Sequence, residues 1–418
     1  MRHILEVVLA FCARKIVEKY QPKVIGITGS VGKTSTRAAV FAVVSKKFRA
    51  YTPPKNLNDK LGLPLAIIGM DSPGRSLFGW ARVFARVFSL LAFRRSYPEV
   101  LVLEYGIDRV GEMDDLLAIA QPHIGILTSV GLSHYEFFQD VETIEREKGK
   151  LVEAVDAGGF VLLNADNELA AKQASRARAT VVTYGVAGAV RLLDRAEELT
   201  DKARTMYTAH TPTREFSVAF PALGFVHWSS TIAAVAVAEV LGIETDLVQA
   251  GLQTYRPVAG RLNVIGALRR SVLIDDTYNA APDSMHEALA LFARFPSEHK
   301  IAALGDMLEL GALSDEAHQA VGLEVARIAP THLVTVGAGG KIIAESAVGV
   351  GYPEERVISF DTSEQAQLPV QELMREASVV LVKGSQGMRM ERISKEIMAE
   401  PMRAGELLCR QYGKWLTS

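Results

Sequence analysis

The chain reads as an α/β protein of two successive modules, each a mostly parallel sheet with helices on its faces. Three observations predict this. Short apolar runs that end in a polar residue recur between helical patterns: Lys23–Thr28 (KVIGIT), Val100–Glu104 (VLVLE), Ile124–Thr128 and Phe160–Asn164 (FVLLN). Uninterrupted apolar strands are buried on both faces, which is the habit of parallel sheets. A second series follows Pro257–Arg261 (PVAGR), with strand candidates at Val272–Asp275, Lys300–Leu304, His332–Val336 and Val379–Val382. Finally, 418 residues exceed what one ordinary core holds.

Taken in order, residues 1–22 place Ile4, Leu5, Val7, Val8, Leu9 and Phe11 at helical spacing, with Glu6 and Arg14 interrupting and closing the run. This predicts an amphipathic helix, too short and too charged to span a bilayer and without the cleavage site of a signal peptide. Residues 23–258 form the first module and 259–418 the second, with the boundary near Gly260 and a helix from about Trp228 to Leu241 before it. Ser72–Pro98 fits no plain α/β unit. It is aromatic and aliphatic with five arginines, and reads as an amphipathic helix with basic edges. Such a helix packs on the protein's own surface or docks on a membrane or partner, and residues 1–20 offer a second such contact.

Charged residues are 22% and the formal net charge is −2, so no global basic field draws the chain to nucleic acid. Cys12 and Cys409 stand far apart, in neither a disulfide framework nor metal-ligand spacing. A reducing cytoplasm is the simplest compartment, with the membrane's inner face as a peripheral location.

Thr28-Gly29-Ser30-Val31-Gly32-Lys33-Thr34-Ser35 follows a strand and opens a helix. In that context backbone N–H groups and a helix N-terminus cradle phosphate. Lys33 lies along the β/γ-phosphates and the Thr34 hydroxyl binds Mg²⁺. The general P-loop pattern asks for glycine where this chain has Ile27.

The variant TGSVGKTS resembles the Mur ligase family. LEYGIDRVGEM (Leu103–Met113), SHYEFF (Ser133–Phe138), EKGKL (Glu147–Leu151) and AGR (Ala259–Arg261) follow in that family's order. DDTYNAAPDSM (Asp275–Met285), LGDMLELG (Leu304–Gly311) and VKGSQGMRME (Val382–Glu391) resemble its MurF branch. The resemblance runs from about Lys23 to Ile393. It implies a P-loop parallel-sheet ATP-binding domain followed by a Rossmann-like C-terminal domain. The implied activity is ATP- and Mg²⁺-dependent joining of a carboxylate to an amine through an acyl-phosphate, in cell-wall precursor synthesis. The amine would be a D-Ala-D-Ala-type dipeptide or another amino compound.

The same resemblance implies roles at matching positions. Glu104 is a Mg²⁺ ligand and His134 a ligand of a second Mg²⁺, although imidazole is an unusual partner for that hard cation. Lys148, rather than its neighbour Lys150, is the lysine expected to be carbamylated and to support the metal site. Arg261 reaches the γ-phosphate when the modules close. Asp276, Tyr278 and Asn279 line the nucleotide, and Lys383 senses phosphate. Asn56 and Asn58 resemble an asparagine loop near the acceptor, with Asp59 where a further asparagine is usual.

Three departures bear on the substrates. Only about two dozen residues precede the phosphate-loop strand, where MurF enzymes carry a UDP-binding domain. The His-Asn-x-x-Asn helix start that helps hold adenine reads His227-Trp228-Ser229-Ser230-Thr231, with Trp228 either stacking on a base or serving as core. Gln386 stands where an arginine associated with the amine's carboxylate is common, leaving Arg389 as a nearby substitute. Besides the leading expectation there are others: a Mur-type ligase for a lipid-linked or non-wall carboxylate, the ligase subunit of an amidotransferase, and a non-enzymatic P-loop switch.

Overall fold

The computed structural model describes residues 2–133 and 135–416. The first sheet contains β1 (Lys23–Thr28), β2 (Ala50–Tyr51), β3 (Val100–Glu104), β4 (Ile124–Leu127), β5 (Phe160–Asn164), β6 (Thr180–Gly185), β7 (Val190–Glu198), β8 (Arg204–His210) and β9 (Glu215–Phe220). Their order is β2-β3-β1-β4-β5-β6-β7-β8-β9, parallel from β2 to β7 and antiparallel through β8 and β9. Successive side chains point to opposite faces, so Leu101 and Leu103 join one core while Val100 and Val102 join the other. That division is why the strand is apolar at every position.

The chain leaves β1 toward β2 and β3 on one side and returns to β4 on the other. A cleft opens at such a reversal, beyond the carboxyl ends of the strands. The phosphate loop, Glu104 and residues 128–131 all stand there.

The second sheet runs β10 (Asn263–Ala267), β11 (Ser271–Asp276), β15 (Val379–Lys383), β12 (Lys300–Gly305), β13 (His332–Val336), β14 (Val357–Phe360). Only β10 is antiparallel to its neighbour. Register pairs Asp276 with Lys383 at the carboxyl ends of β11 and β15. Those ends face the first module's cleft. Thus Asn56 Nδ2 donates to the Tyr278 hydroxyl at 2.9 Å, and the Glu136 amide donates to the Glu309 carbonyl at 3.1 Å.

The antiparallel strands β7–β9 are absent from the sequence reading. In β8, buried Thr205, Tyr207 and Ala209 alternate with more exposed Arg204, Met206, Thr208 and His210. The sheet is solvated on one face there, so its signal is alternation rather than an apolar run.

The Arg2–Tyr20 helix buries Leu9, Ala13 and Ile16 against the first module. The Leu77–Ala92 helix buries only Val83, Val87 and Leu90, and Ser76 caps its start by accepting from the Gly79 amide at 3.0 Å. No described helix is long and apolar enough to cross a membrane.

Candidate active site

The phosphate loop joins β1 to the Lys33–Val44 helix, and its glycines are required by geometry. Gly29 has φ 145°, and a Cβ there would lie 2.0 Å from Thr128 Oγ1. Gly32 has φ 86° and begins the helix without a side-chain cap, so the first N–H groups of the helix are left for a ligand. The loop is braced by the segment after β4. The Ser30 amide donates to the Ser129 carbonyl at 2.8 Å, the Val31 amide to Ser129 Oγ at 2.9 Å, and the Gly131 amide to Ser30 Oγ at 2.9 Å. Lys33 folds back to donate to the Gly29 and Ser30 carbonyls at 2.6 and 3.2 Å. Burial lowers its pKa, and nearby Glu104 partly opposes that shift.

Behind the loop lies a buried polar cluster. Thr34 Oγ1 donates to Glu104 Oε2 at 3.0 Å, and Asn58 Nδ2 donates to Oε1 at 3.0 Å. Arg37 Nε lies 3.8 Å from the same carboxylate, while its Nη1 donates to the Pro53 carbonyl at 2.7 Å. Arg37 is absent from the sequence reading. It sits one turn after Thr34 on the cleft face, and that spacing was the available signal. A hydroxyl and a carboxylate at hydrogen-bond distance are the hard-oxygen donors Mg²⁺ takes when phosphates and water supply the rest. Among the described residues no three His, Cys, Asp or Glu side chains form a metal cluster. His134 lies outside the described residues.

Lys148 is buried on the Val141–Ala154 helix, its Nζ 3.3 Å from the Gly29 carbonyl. The next residue, Gly149, lets the Gln173–Arg176 turn pack against this helix, since a Cβ there would meet Arg176 Nη1 at 2.1 Å. Burial, and then the neighbouring Lys33 charge, hold the Lys148 pKa well below the ordinary lysine value. Lys150 instead points outward to Asp114 and Glu147, at 2.7 Å from each.

From the second module, Arg261 Nη2 comes to 3.5 Å from Thr34 Oγ1, and the guanidinium lies over the Tyr278 ring at 3.9 Å. Lys383 Nζ pairs with Asp276 Oδ2 at 2.5 Å and donates to the Asn279 carbonyl at 3.1 Å. Asp276 Oδ1 accepts from the Leu262 amide at 2.9 Å, fixing the segment that carries Arg261. Ser30, Gly32, Thr34, Ser35, Arg261, Asp276, Asn279 and Lys383 all line one narrow cavity between the modules. Arg389 is engaged elsewhere: Nε donates to Glu391 at 2.7 Å and Nη2 to the Trp415 carbonyl at 2.6 Å.

A larger cavity of about 570 Å³ adjoins the loop, lined by Asn164, Asn167, Phe225, Val226, Ser229 and Glu287 among others. Trp228 is buried core, edge-on to Phe225 at 4.6 Å, and Phe225 is the aromatic side chain lining the cavity. Glu287 enters both cavities with Oε2 buried and unpaired, and burial beside Asp283 raises its pKa to about 8. No motif marked it.

His227 faces away from that cavity. Its Nδ1 accepts from the Tyr255 hydroxyl at 2.7 Å, so Nε2 carries the proton and donates to the Arg261 and Leu262 carbonyls at 3.1 and 3.2 Å. It fastens the helix to the linker. Burial depresses its pKa to about 4. The unfolded histidine, near 6.5, therefore binds a proton first as pH falls, and this residue's contribution disappears between pH 6.5 and 4, up to about 3 kcal/mol. The Tm gap between the wild type and His227→Gln should narrow across that window. A constant gap would remove the linkage.

A strand-to-helix phosphate loop, a buried Thr–Glu hydroxyl–carboxylate pair behind it and an arginine brought in by a second α/β module are the arrangement of an ATP-dependent ligase of the P-loop class. Residues 86–238 match the Mur ligase middle domain and residues 260–386 the Mur ligase, glutamate ligase domain. The chain belongs to the Mur ligase family. It is 30% identical to the UDP-N-acetylmuramoyl-tripeptide–D-alanyl-D-alanine ligase of Treponema pallidum, over 90% of this chain and 74% of that one. The enzyme of the same description from Bacillus subtilis is 27% identical, over 93% and 79%. MurF from Acinetobacter baumannii superposes with a TM-score of 0.78 at 26% identity, covering 95% of this chain and 80% of that one. The fold is shared also with MurF from Thermotoga maritima, with a TM-score of 0.77 at 24% identity over 94% and 83%.

Arg261 can be tested directly. Arg261→Lys keeps the charge but loses the planar fork and its stacking on Tyr278. We expect kcat to fall about 10²-fold with ATP affinity nearly unchanged. Equal losses in both would assign Arg261 to ground-state binding.

Proposed function

We propose that this chain is a MurF-like ligase that joins a D-Ala-D-Ala-type amine to the peptide carboxylate of a cell-wall precursor, as its relatives' descriptions state for them. The observation that carries the reading is the single narrow cavity shared by the phosphate loop and Arg261, Asp276, Asn279 and Lys383. In this reading residues 23–258 bind nucleotide, and residues 259–418 close over it.

ATP, when bound, supplies the γ-phosphoryl group that activates the carboxylate as an acyl-phosphate, and Mg²⁺ screens the mutual repulsion of the two anions. Thr34 and Glu104 would hold one metal ion and His134 a second, and Lys148, once carbamylated, would support them with its negative charge. Lys33 and Arg261 set positive charge on opposite sides of the phosphate position. Asp276 keeps Lys383 and the Arg261 segment in register. Asn56, through Tyr278, ties the acceptor loop to the closing module.

A second reading places the carboxylate on a lipid-linked precursor. It is favoured by the exposed apolar side chains of the Leu77–Ala92 helix. Phosphate release from ATP and Mg²⁺ with D-Ala-D-Ala, comparing UDP-MurNAc-tripeptide with its lipid-linked counterpart, separates the two. Turnover with the UDP form supports the first reading. Turnover only with the lipid form supports the second, and turnover with neither overturns both.

A further inference from the structure

We propose that the exposed face of the Leu77–Ala92 helix is a docking surface for an anionic lipid bilayer. The helix turns Val83, Val87 and Leu90 inward, yet Leu77 is 86% exposed, Phe78 77% and Phe88 65%, and Phe93 just beyond its end is 53% exposed. Leu77, Ala81, Phe84, Phe88 and Ala92 follow the spacing of one helical face. The helix therefore has two apolar faces and a core behind only one of them. Exposed Arg82 and Arg86, four residues apart, form a flank between those faces. Arg75 precedes the helix, and Arg94 and Arg95 follow it.

Ser72–Pro98 contains five arginines and no aspartate or glutamate. Glu99, the nearest carboxylate in sequence after it, is turned to Arg49, accepting from that residue's amide at 2.9 Å. The mount is firm. Lys19 Nζ donates to the Leu90, Leu91 and Phe93 carbonyls at 2.9 Å each, and the Tyr20 hydroxyl donates to the Leu90 carbonyl at 2.9 Å. These bonds cap the helix's carboxyl end and hold its orientation.

Charge decides the occupant. A second copy pairing through this same face would set arginine against arginine, which like-charge repulsion disfavours. Anionic headgroups meet the guanidinium groups instead, while Leu77, Phe78 and Phe88 enter the boundary between headgroups and acyl chains. The arrangement lies on a membrane rather than spanning it. It is independent of which carboxylate the ligase uses.

The test is co-sedimentation of the full chain with phosphatidylcholine vesicles, with and without phosphatidylglycerol. Binding should require phosphatidylglycerol and weaken as salt rises, since screening shortens from about 10 Å at 0.1 M to about 3 Å at 1 M. Arg82→Gln with Arg86→Gln should weaken binding about 25-fold, roughly fivefold per charge. Phe78→Ser with Phe88→Ser should abolish it while ATP turnover on soluble substrates and Tm stay unchanged. Equal binding to neutral vesicles, or none to either, overturns the proposal. So does a solution dimer that Phe78→Ser with Phe88→Ser dissolves, because the face would then be covered by a second copy.

Discussion

Lys33→Ala and Glu104→Gln should each lower phosphate release at least about 10³-fold, and for different reasons. Lys33 rests on the Gly29 and Ser30 carbonyls of its own loop, so in the proposed site its ammonium stands beside the phosphates that the loop would hold. Removing it takes away charge that works on the ground state and the transition state alike, so nucleotide affinity should fall along with turnover. Glu104 is the shared acceptor of Thr34 and Asn58, with Arg37 close behind. Both glutamine and alanine remove the charge facing Arg37, but glutamine keeps the volume and an acceptor oxygen for Thr34 or Asn58, whereas alanine would also open a cavity and confuse lost folding with lost chemistry. Glu104→Gln should therefore bind nucleotide nearly normally without Mg²⁺ and lose the gain that Mg²⁺ brings. Nucleotide titration with and without Mg²⁺, alongside phosphate release, reads both effects. A Glu104→Gln protein that keeps its Mg²⁺ dependence would remove Glu104 from the metal site.

What was legible in the sequence tracks how local its cause is. The phosphate loop could be read because its glycines answer a local backbone demand, the positive φ of Gly29 and of Gly32. The largely buried parallel strands β1, β3, β4, β5, β11, β12, β13 and β15 could be read as apolar runs, whereas the less buried parallel strands β2, β6 and β14 could not. Arg37 offered only its spacing, one turn after Thr34. Its role comes from the Pro53 and Lys55 carbonyls and from Glu104, which only the fold brings to it. The sequence leaves Trp228 open between base stacking and core, and a one-residue difference in helix phase decides it: Phe225 and Ser229 face the cavity while Trp228 faces the first sheet's core. The exposed face of the Leu77–Ala92 helix was half legible. Its periodicity was plain, but which apolar stripe would be covered depended on the Arg2–Tyr20 helix packing beside it.

Lys148→Ala should lower turnover about 10²-fold or more, and a short carboxylic acid such as acetate or propionate should restore part of it. Carbamylation needs a neutral amine, which adds to carbon dioxide and releases one proton, converting a would-be cation into an anion. An ordinary surface lysine stays protonated at neutral pH. Lys148 differs because burial and the neighbouring Lys33 both disfavour its charged form. The carbamate would in turn be stabilised by the charges that oppose the ammonium, namely Lys33 and the metal ions. Removing dissolved carbon dioxide should thus lower wild-type activity reversibly and leave Lys148→Ala unchanged. Isotopically labelled bicarbonate followed by NMR should show a carbamyl signal in the wild type that the variant lacks. An unrescued variant together with carbon-dioxide-independent wild-type turnover would make Lys148 a buried amine bracing the Gly29 carbonyl, with no part in the metal site.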